Sequence, residues 1–278
     1  MEIVREQVTV DGVRLAFRAA GAGPPLVLLH GWSQSAVQFE PLMVRLAAGR
    51  RVIALDHRGH GMSADPGRGY RLSRLAADVR GALDALGLDG VALLGHSMSV
   101  AVIGAYLDAY GTERIDRLIL NDQRPRIVRP PDWSDDDALR FGASVTPEAA
   151  AEFAVRLAGR EGEVAFAAAM RPMVSPDLPP ERFTRLMATT AMARPARADL
   201  YWSMATADLR DVWPAVDVPT LVTAGEASMI PVESQQWLAS EIPGAQFHVT
   251  RAAHGGSHFA FWEDPDRYAA VLAEFLDR

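Results

Sequence analysis

The sequence predicts an α/β fold, a mostly parallel, doubly wound sheet that carries an inserted helical cap. Three observations support this: short apolar runs, helical stretches that alternate with them, and one long interval where the alternation stops. Because the apolar runs are continuous, each is expected to be a strand buried on both faces. Because strands and helices alternate, we expect parallel strands joined by right-handed crossovers.

The predicted elements follow one another at regular intervals. Residues 2–18 alternate around the turn Asp11-Gly12, which indicates an antiparallel hairpin at one sheet edge. Buried strands are predicted at residues 26–29, 51–56, 91–94, 118–122, 220–224 and 245–250. Helices are predicted between them at residues 37–48, 72–86, 100–110, 232–242 and 265–276.

The alternation breaks once, between residues 123 and 213, where only helical patterns occur. Helices are predicted there at residues 135–141, 147–158, 163–170, 180–193 and 198–209, with prolines between most of them. We therefore divide the chain into a core of residues 1–123 and 214–278 and a cap of residues 124–213. Most of the many Met and aromatic residues of the cap should form its own core. Its underside is expected to cover a pocket.

Composition limits the classes of function. The chain has 278 residues, 49% of them hydrophobic, and a net charge of −7 without a basic stripe, so a nucleic-acid partner is not expected. It has no apolar run of about 18 residues and no signal-peptide pattern, so we expect a cytoplasmic protein without a membrane partner. The absence of cysteine excludes disulfides and thiolate chemistry.

A candidate nucleophile lies in Gly95-His96-Ser97-Met98-Ser99, between a predicted strand and a predicted helix. A sharp strand-to-helix turn would hold Ser97 in a strained conformation with its hydroxyl exposed. Small residues are needed two positions before and after it, and Ser99 stands where glycine is usual. The alternative is a serine that merely caps a helix.

A serine hydroxyl needs a general base, and we expect it in the loop before the last helix. His258 is the preferred candidate, because glycines precede it and an aromatic run follows that could anchor the loop. His254 is the rival, although it fits a surface histidine better.

The acid that orients this base is predicted to be Asp122. In many enzymes of this plan an aspartate follows the next-to-last strand, but Ser228 occupies that place here and Glu226 lies two residues too early. Asp122 instead ends the strand before the cap, where a buried carboxylate would require a partner. Glu226 remains the second choice, and an ordinary strand-end aspartate is the alternative for Asp122.

The loop that follows the first buried strand can supply an oxyanion hole. The backbone N–H groups of Trp32 and Met98 are its candidate donors, and His30 and His96 are grouped with them as residues beside the substrate. His30 fits a structural hydrogen-bonding role better than acid–base work. His57 and His60 have no evident role, and neither a metal-binding motif nor a phosphate loop is present, so no cofactor is expected.

These motifs together resemble the α/β-hydrolase superfamily over essentially the whole chain. The resemblance rests on five segments: His30-Gly31-Trp32, Asp56-His-Arg-Gly-His-Gly-Met-Ser63, Gly95-His-Ser-Met-Ser99, residues 218–225 and residues 256–265. It implies the α/β-hydrolase fold but leaves the reaction open. A serine at position 97 argues against dehalogenases and epoxide hydrolases, which use an aspartate there.

The resemblance leaves three functional hypotheses. The first is a serine hydrolase that acts on an ester or lactone of a mostly apolar small molecule through Ser97, His258 and Asp122. The second is a cofactor-independent dioxygenase of a hydroxyquinolone-like substrate, or a lyase, in which His258 and Asp122 act as base. Trp32, His96 and the displaced acid are shared with such dioxygenases. The third is a non-catalytic ligand receptor. The sequence does not indicate an oligomeric state.

Overall fold

The computed structural model describes residues 2–190 and 192–278, and residue 194 by its backbone alone. Within these residues it contains one eight-stranded sheet with the strand order β1-β2-β4-β3-β5-β6-β7-β8. The strands are β1 (Val4–Val10), β2 (Val13–Ala20), β3 (Pro25–Leu29), β4 (Arg51–Leu55), β5 (Val91–His96), β6 (Ile115–Asn121), β7 (Thr220–Gly225) and β8 (Gln246–Thr250). The doubly wound α/β fold predicted from the sequence is confirmed.

The sheet is antiparallel only at its first edge. Strand β1 pairs with β2, and β2 with β4, in antiparallel register, whereas the other neighbouring pairs are parallel. Asp11 (φ 47°) and Gly12 (φ 75°) form the two-residue hairpin turn. Positive φ at both positions matches the right-handed twist of the flanking strands.

The helices outside the cap alternate with the parallel strands. They are α1 (Glu40–Leu46), α2 (Leu72–Ala85), α3 (Met98–Tyr110), α9 (Val232–Glu241), α10 (Ala260–Glu263) and α11 (Pro265–Leu276). Helix α1 packs against α11 and helix α2 against α3. The central strands β3 to β7 are almost entirely buried, as their continuous apolar runs predict.

The chain between β6 and β7 is helical, and we call residues 124–213 the cap segment. Its helices are α4 (Asp135–Phe141), α5 (Pro147–Ala158), α6 (Gly162–Met170), α7 (Pro180–Met187) and α8 (Arg194–Thr206). The division into core and cap at residues 123 and 213 stays a prediction.

The predicted helix 180–193 is too long at its C-terminal end. Helix α7 stops at Met187, and the next helix begins only at Arg194. The hydroxyls of Thr189 and Thr190 donate to the carbonyls of Leu186 and Met187 at 2.7 Å each, which replaces continued helical hydrogen bonding. Residue 191, which this prediction also covered, lies outside the described residues.

The fold brings four loops together at one edge of the sheet. Ser97 follows β5, Asp122 follows β6, Trp32 follows β3, and His258 follows β8. The carboxyl ends of parallel strands meet at one edge, which is where α/β sheets place their ligand sites.

Candidate active site

Ser97 is held in a strained turn between β5 and α3. Its φ is 54° and its ψ is −123°, a conformation that costs a non-glycine residue about 1–3 kcal/mol. Its backbone N–H donates to the carbonyl of Asn121 at 2.8 Å, and its carbonyl accepts from the N–H of Val100 at 2.8 Å. These two bonds hold the backbone of Ser97 in place, so the conformation of the turn sets the direction of its side chain.

The hydroxyl of Ser97 faces a cavity. Ser97 is half-buried and lines this cavity together with His258. Among the described residues its hydroxyl has no hydrogen-bond partner, and it forms no bond to His258.

His258 and Asp122 form a buried pair. The distance from His258 Nδ1 to Asp122 Oδ2 is 2.6 Å, and the two side chains are 3% and 1% exposed. Asp122 itself has a φ of 52°, so both it and Ser97 depart from ordinary backbone geometry at the same sheet edge. His258 therefore has the carboxylate neighbour that a general base needs to hold its ring and tautomer.

The carboxylate of Asp122 is fully satisfied. Its Oδ1 accepts from the backbone N–H of Gly225 at 2.9 Å and from Gln235 Nε2 at 3.0 Å. Its Oδ2 accepts from the hydroxyl of Ser228 at 2.6 Å in addition to His258. A buried carboxylate is stable only with such donors.

Ser228 and Gln235 were not predicted to take part in the site. Ser228 stands where an acid is usual, and its hydroxyl supports the carboxylate of Asp122 instead. Gln235 is fully buried in α9. A polar residue on the buried face of a helix is the one signal that could have identified it.

The rival residues lie elsewhere. His254 is exposed in a short 3-10 helix and is not among the residues that line the cavity. Glu226 accepts from the backbone N–H of Ala252 at 2.9 Å and from Arg251 at 3.0 Å. These bonds lower the pKa of Glu226 below its usual value and hold it at the surface, away from His258.

The two predicted oxyanion donors are free. Among the described residues, neither the backbone N–H of Trp32 nor that of Met98 has a hydrogen-bond partner. Met98 is the first residue of α3, where helix N–H groups point outward and the helix dipole favours negative charge. A Cβ on Gly31 would lie 3.2 Å from Ser97 Cβ, so the loop passes close to the nucleophile.

The indole of Trp32 connects this loop to the cap segment. Its Nε1 donates to the carbonyl of Arg197 at 3.0 Å, and its ring lies 5.2 Å from Phe166 and 5.6 Å from Tyr201. Trp32 also lines the cavity.

His30 lies behind the cavity and is not one of its lining residues. Its Nδ1 bonds to the carbonyl of Gly31 at 2.8 Å, and its Nε2 accepts from the backbone N–H of His57 at 3.1 Å. Burial lowers its pKa to about 4, so the ring is neutral at physiological pH. The grouping of His30 with residues beside the substrate is therefore corrected to a structural role.

The Ser99 hydroxyl forms two buried hydrogen bonds that a glycine at this position could not form. It donates to the carbonyl of His30 at 2.5 Å and lies 2.9 Å from His57 Nε2. His57 and His60, which have no evident role in the sequence, pack on His30 with ring centroids 4.7 and 4.9 Å away. Burial lowers the pKa of His57 and brings that of His60 to about 3. This neutral cluster supports the loop that carries Trp32.

His96 lines the cavity and contacts the ring of His258 at 4.7 Å between centroids. The amide of Asn121 donates to its Nδ1 at 2.9 Å, and Thr223 fixes the orientation of that amide by donating to Asn121 Oδ1 at 2.8 Å. The proton of the neutral ring is therefore on Nε2, which is buried without a partner among the described residues. Burial lowers the pKa of His96 well below its usual value.

The cavity has a volume of about 370 Å³ and is mostly apolar. Five of the Met and aromatic residues of the cap segment line it, namely Phe153, Met170, Met173, Tyr201 and Met204. The other described Met and aromatic residues of the cap segment do not line it. One charged side chain, Arg124, lies among its described lining residues.

The described residues lack two further features. They include no group of three or more His, Cys, Asp or Glu side chains arranged to hold a metal ion. None of their helices is both long enough and apolar enough to span a bilayer.

Comparison with known proteins places this site in context. A model of the α/β hydrolase fold family matches residues 24–265. A protein of Synechocystis sp., provisionally named a non-heme chloroperoxidase, is 31% identical over 96% of this chain and 95% of its own length. The structure of a thermophilic esterase from Thermogutta terrifontis is 29% identical with a TM-score of 0.80, over 100% of this chain and 98% of that one. An enol-lactonase from Burkholderia xenovorans is 25% identical with a TM-score of 0.83, over 98% and 100%.

Proposed function

The chain belongs to the α/β-hydrolase family, and we propose that it is a serine hydrolase that cleaves an ester, lactone or related carbonyl bond of a small, mostly apolar molecule. The esterase and enol-lactonase named above act on bonds of this kind. The triad proposed for the reaction consists of Ser97, His258 and Asp122.

One observation carries the proposal. His258, which forms a buried 2.6 Å hydrogen bond with Asp122, lines the same cavity as a serine in a strained strand-to-helix turn. With Nδ1 of His258 donating to Asp122, the opposite ring nitrogen is free to accept the proton of the Ser97 hydroxyl. The deprotonated oxygen would then attack the carbonyl carbon of the substrate.

The remaining steps follow from the neighbouring groups. The N–H groups of Trp32 and Met98 would receive the negative charge that develops on the carbonyl oxygen. His258 would pass its proton to the leaving alcohol as the tetrahedral intermediate collapses to an acyl-enzyme. A water molecule, deprotonated by the same ring, would release the acid and regenerate Ser97.

The test is covalent labelling of the protein with a fluorophosphonate. We expect one adduct, located on Ser97 by mass spectrometry, and loss of both the adduct and 4-nitrophenyl ester hydrolysis in Ser97→Ala. The matched control is Ser240→Ala, because the Ser240 hydroxyl is exposed in α9 and bonds only to the carbonyl of Trp237. Labelling at another serine, or full ester hydrolysis by Ser97→Ala, would contradict the proposal.

A second candidate is base catalysis by the His258–Asp122 pair without an acyl-enzyme, as in cofactor-independent oxygenation. The observation that favours it is that the pair is formed while the Ser97 hydroxyl has no bond to His258. Under this candidate His258→Ala would abolish turnover, whereas Ser97→Ala would only weaken it. The two variants, compared on the same substrate, therefore separate the candidates.

A further inference from the structure

Arg124 is a charged side chain in an otherwise uncharged cavity. It directly follows Asp122 and Gln123 at the end of β6 and is 9% exposed. Among the described residues that line the cavity, no Asp, Glu or Lys accompanies it. A guanidinium stays protonated at all physiological pH values, so this wall of the cavity carries a fixed positive charge.

The partners of Arg124 are all neutral. Its Nη1 donates to the carbonyl of Gly142 at 3.1 Å and to the hydroxyl of Ser144 at 2.8 Å. Its Nε and Nη2 donate to no described group, and no described carboxylate forms an ion pair with it. The adjacent carboxylate, Asp122, is already occupied by His258 and three further donors.

The other buried arginines of the described residues differ from Arg124 in their partners. Four arginines are buried in the described part of the chain, and three of them pair with carboxylates. Arg18 pairs with Glu40 at 2.8 Å, Arg58 with Asp78 at 2.5 Å, and Arg197 with Glu163 at 3.1 Å. Buried charges are normally paired because taking an ion out of water without a partner is costly. Arg124 is the exception, and it is the one that lines the cavity.

Burial also lowers the pKa of Arg124 below its usual value, and neighbouring Asp122 and Tyr201 oppose that shift only in part. The hydroxyl of Tyr201, which lines the same cavity, has no hydrogen-bond partner among the described residues. A guanidinium with two unused donor groups and a nearby hydroxyl matches the oxygen atoms of a carboxylate, which arginine binds in bidentate geometry.

We propose that Arg124 binds a carboxylate of the substrate, so that the preferred substrates are monoesters or lactones that carry a second, ionised carboxyl group. This inference rests on the proposed hydrolase function, because it assigns the substrate class of the same cavity. The methylene groups between the two ends of the substrate would contact the Met and aromatic side chains. The fixed charge would select the anion over a neutral molecule of the same shape.

The test compares charged and neutral substrates of equal length. The charged series is the mono-4-nitrophenyl esters of succinate, glutarate and adipate, and the neutral series is the methyl 4-nitrophenyl diesters of the same acids. We expect the native protein to prefer at least one monoester over its methyl ester by about 30-fold or more in kcat/KM. Arg124→Met should remove this preference by lowering kcat/KM for the monoester, with little change for the diester.

A purely structural role of Arg124 gives a different result. If its bonds to Gly142 and Ser144 only hold the loop, Arg124→Met should lower both series alike, and that outcome would overturn the proposal. Equal use of both series by the native protein would also overturn it. The control variant is Arg129→Met, because Arg129 lies outside the cavity and pairs with exposed Asp135 at 2.7 Å; its preference should match that of the native protein.

A binding measurement keeps this test separate from the test of hydrolysis. Calorimetric titration with hexanoate, which carries a carboxylate but no bond that a hydrolase could cleave, should give the same affinity for the native protein and Ser97→Ala, and a loss of about 30-fold or more for Arg124→Met. If the serine mechanism is wrong but Arg124 binds carboxylates, labelling of Ser97 fails while this difference remains. If Arg124 does not bind carboxylates, all three proteins bind the probe equally and labelling of Ser97 is unaffected.

Discussion

Asp122 reaches the ring of His258 across 136 residues of sequence, with 2.6 Å between the carboxylate oxygen and Nδ1. The contact forms because β6 and β8 are parallel strands of one sheet and both end at the same edge. The acid position that many enzymes of this plan use, in the loop after β7, is taken by Ser228. That residue donates to the carboxylate instead of replacing it.

Replacement of the acid should therefore be far more harmful at position 122 than at position 226. Asp122→Asn keeps the size of the side chain but no longer favours the tautomer that donates from Nδ1, so kcat should fall by a factor on the order of 10³ to 10⁴. Glu226→Gln is the matched control and should stay close to the native value. Steady-state hydrolysis of a 4-nitrophenyl ester measures both, and the reverse order of effects would show that Asp122 does not orient His258.

Ser99 should contribute to stability through its two buried hydrogen bonds. Ser99→Ala removes the donor to the carbonyl of His30. It also removes the partner of His57 Nε2, and because His57 Nδ1 has no partner among the described residues, the ring then has none at all. Loss of buried hydrogen-bond partners should lower the free energy of unfolding by about 1–3 kcal/mol. Urea denaturation measures this loss, and exposed Ser240→Ala should change stability by less than about 0.5 kcal/mol. A similar effect of the two variants would remove Ser99 from this supporting role.

Gly95 should not tolerate even one additional methyl group. A Cβ at this position would lie 2.7 Å from the carbonyl oxygen of Ser99 and 2.7 Å from Ile103 Cδ1, because β5 and α3 pass close together at the turn. Gly95→Ala should therefore lower stability by about 1–3 kcal/mol and reduce activity by displacing Ser97. Gly49→Ala is the control, since a Cβ there meets nothing within 4 Å. Thermal unfolding of the two variants measures the difference, and equal melting temperatures would contradict the close approach.

The fold could be predicted because its physical signal is local. The central strands β3 to β7 each contain a short continuous apolar run, and burial on both faces requires such a run. The edge strand β8 is only partly buried and has no such run. Ser97, Asp122 and His258 could be proposed for the same reason, since each stands at a strand end or in a loop with a recognisable local pattern. Their convergence follows from the rule that parallel strands end at one edge.

The residues that the sequence did not reveal depend on contacts between distant segments. Gln235 is one polar residue among several in α9, and only the packing of that helix beside β7 directs its amide to Asp122. Nothing in the sequence distinguishes Arg124 from the other arginines. Only the structure shows that its hydrogen-bond partners are neutral and that it lines the cavity. Residue type indicates that such a side chain needs a partner, but the partner is set by tertiary structure.

The buried histidines should make the protein lose stability in acid. The folded-state pKa values of His30 (about 4) and His60 (about 3) lie below the value of about 6.5 expected in the unfolded chain. As the pH falls through 6.5, the unfolded chain therefore binds protons that the folded protein does not. The stability that these neutral histidines contribute is fully present above pH 6.5. It is lost as the pH falls from about 6.5 to 4, at up to about 1.4 kcal/mol per pH unit for each such histidine.

A variant that lacks one of these rings should show a shallower dependence on pH. His60→Asn keeps a donor for the carbonyl of Arg58, which His60 Nδ1 contacts at 3.0 Å, but cannot take up a proton in the unfolded state. Between pH 6 and 4 its slope should be smaller than that of the native protein by about 1 kcal/mol per pH unit. Urea denaturation at pH 8, 6, 5 and 4 measures the slope, and the value at pH 8 isolates the structural cost of the substitution. Parallel slopes for the two proteins would mean that the ring of His60 takes up its proton in the folded state as readily as in the unfolded one.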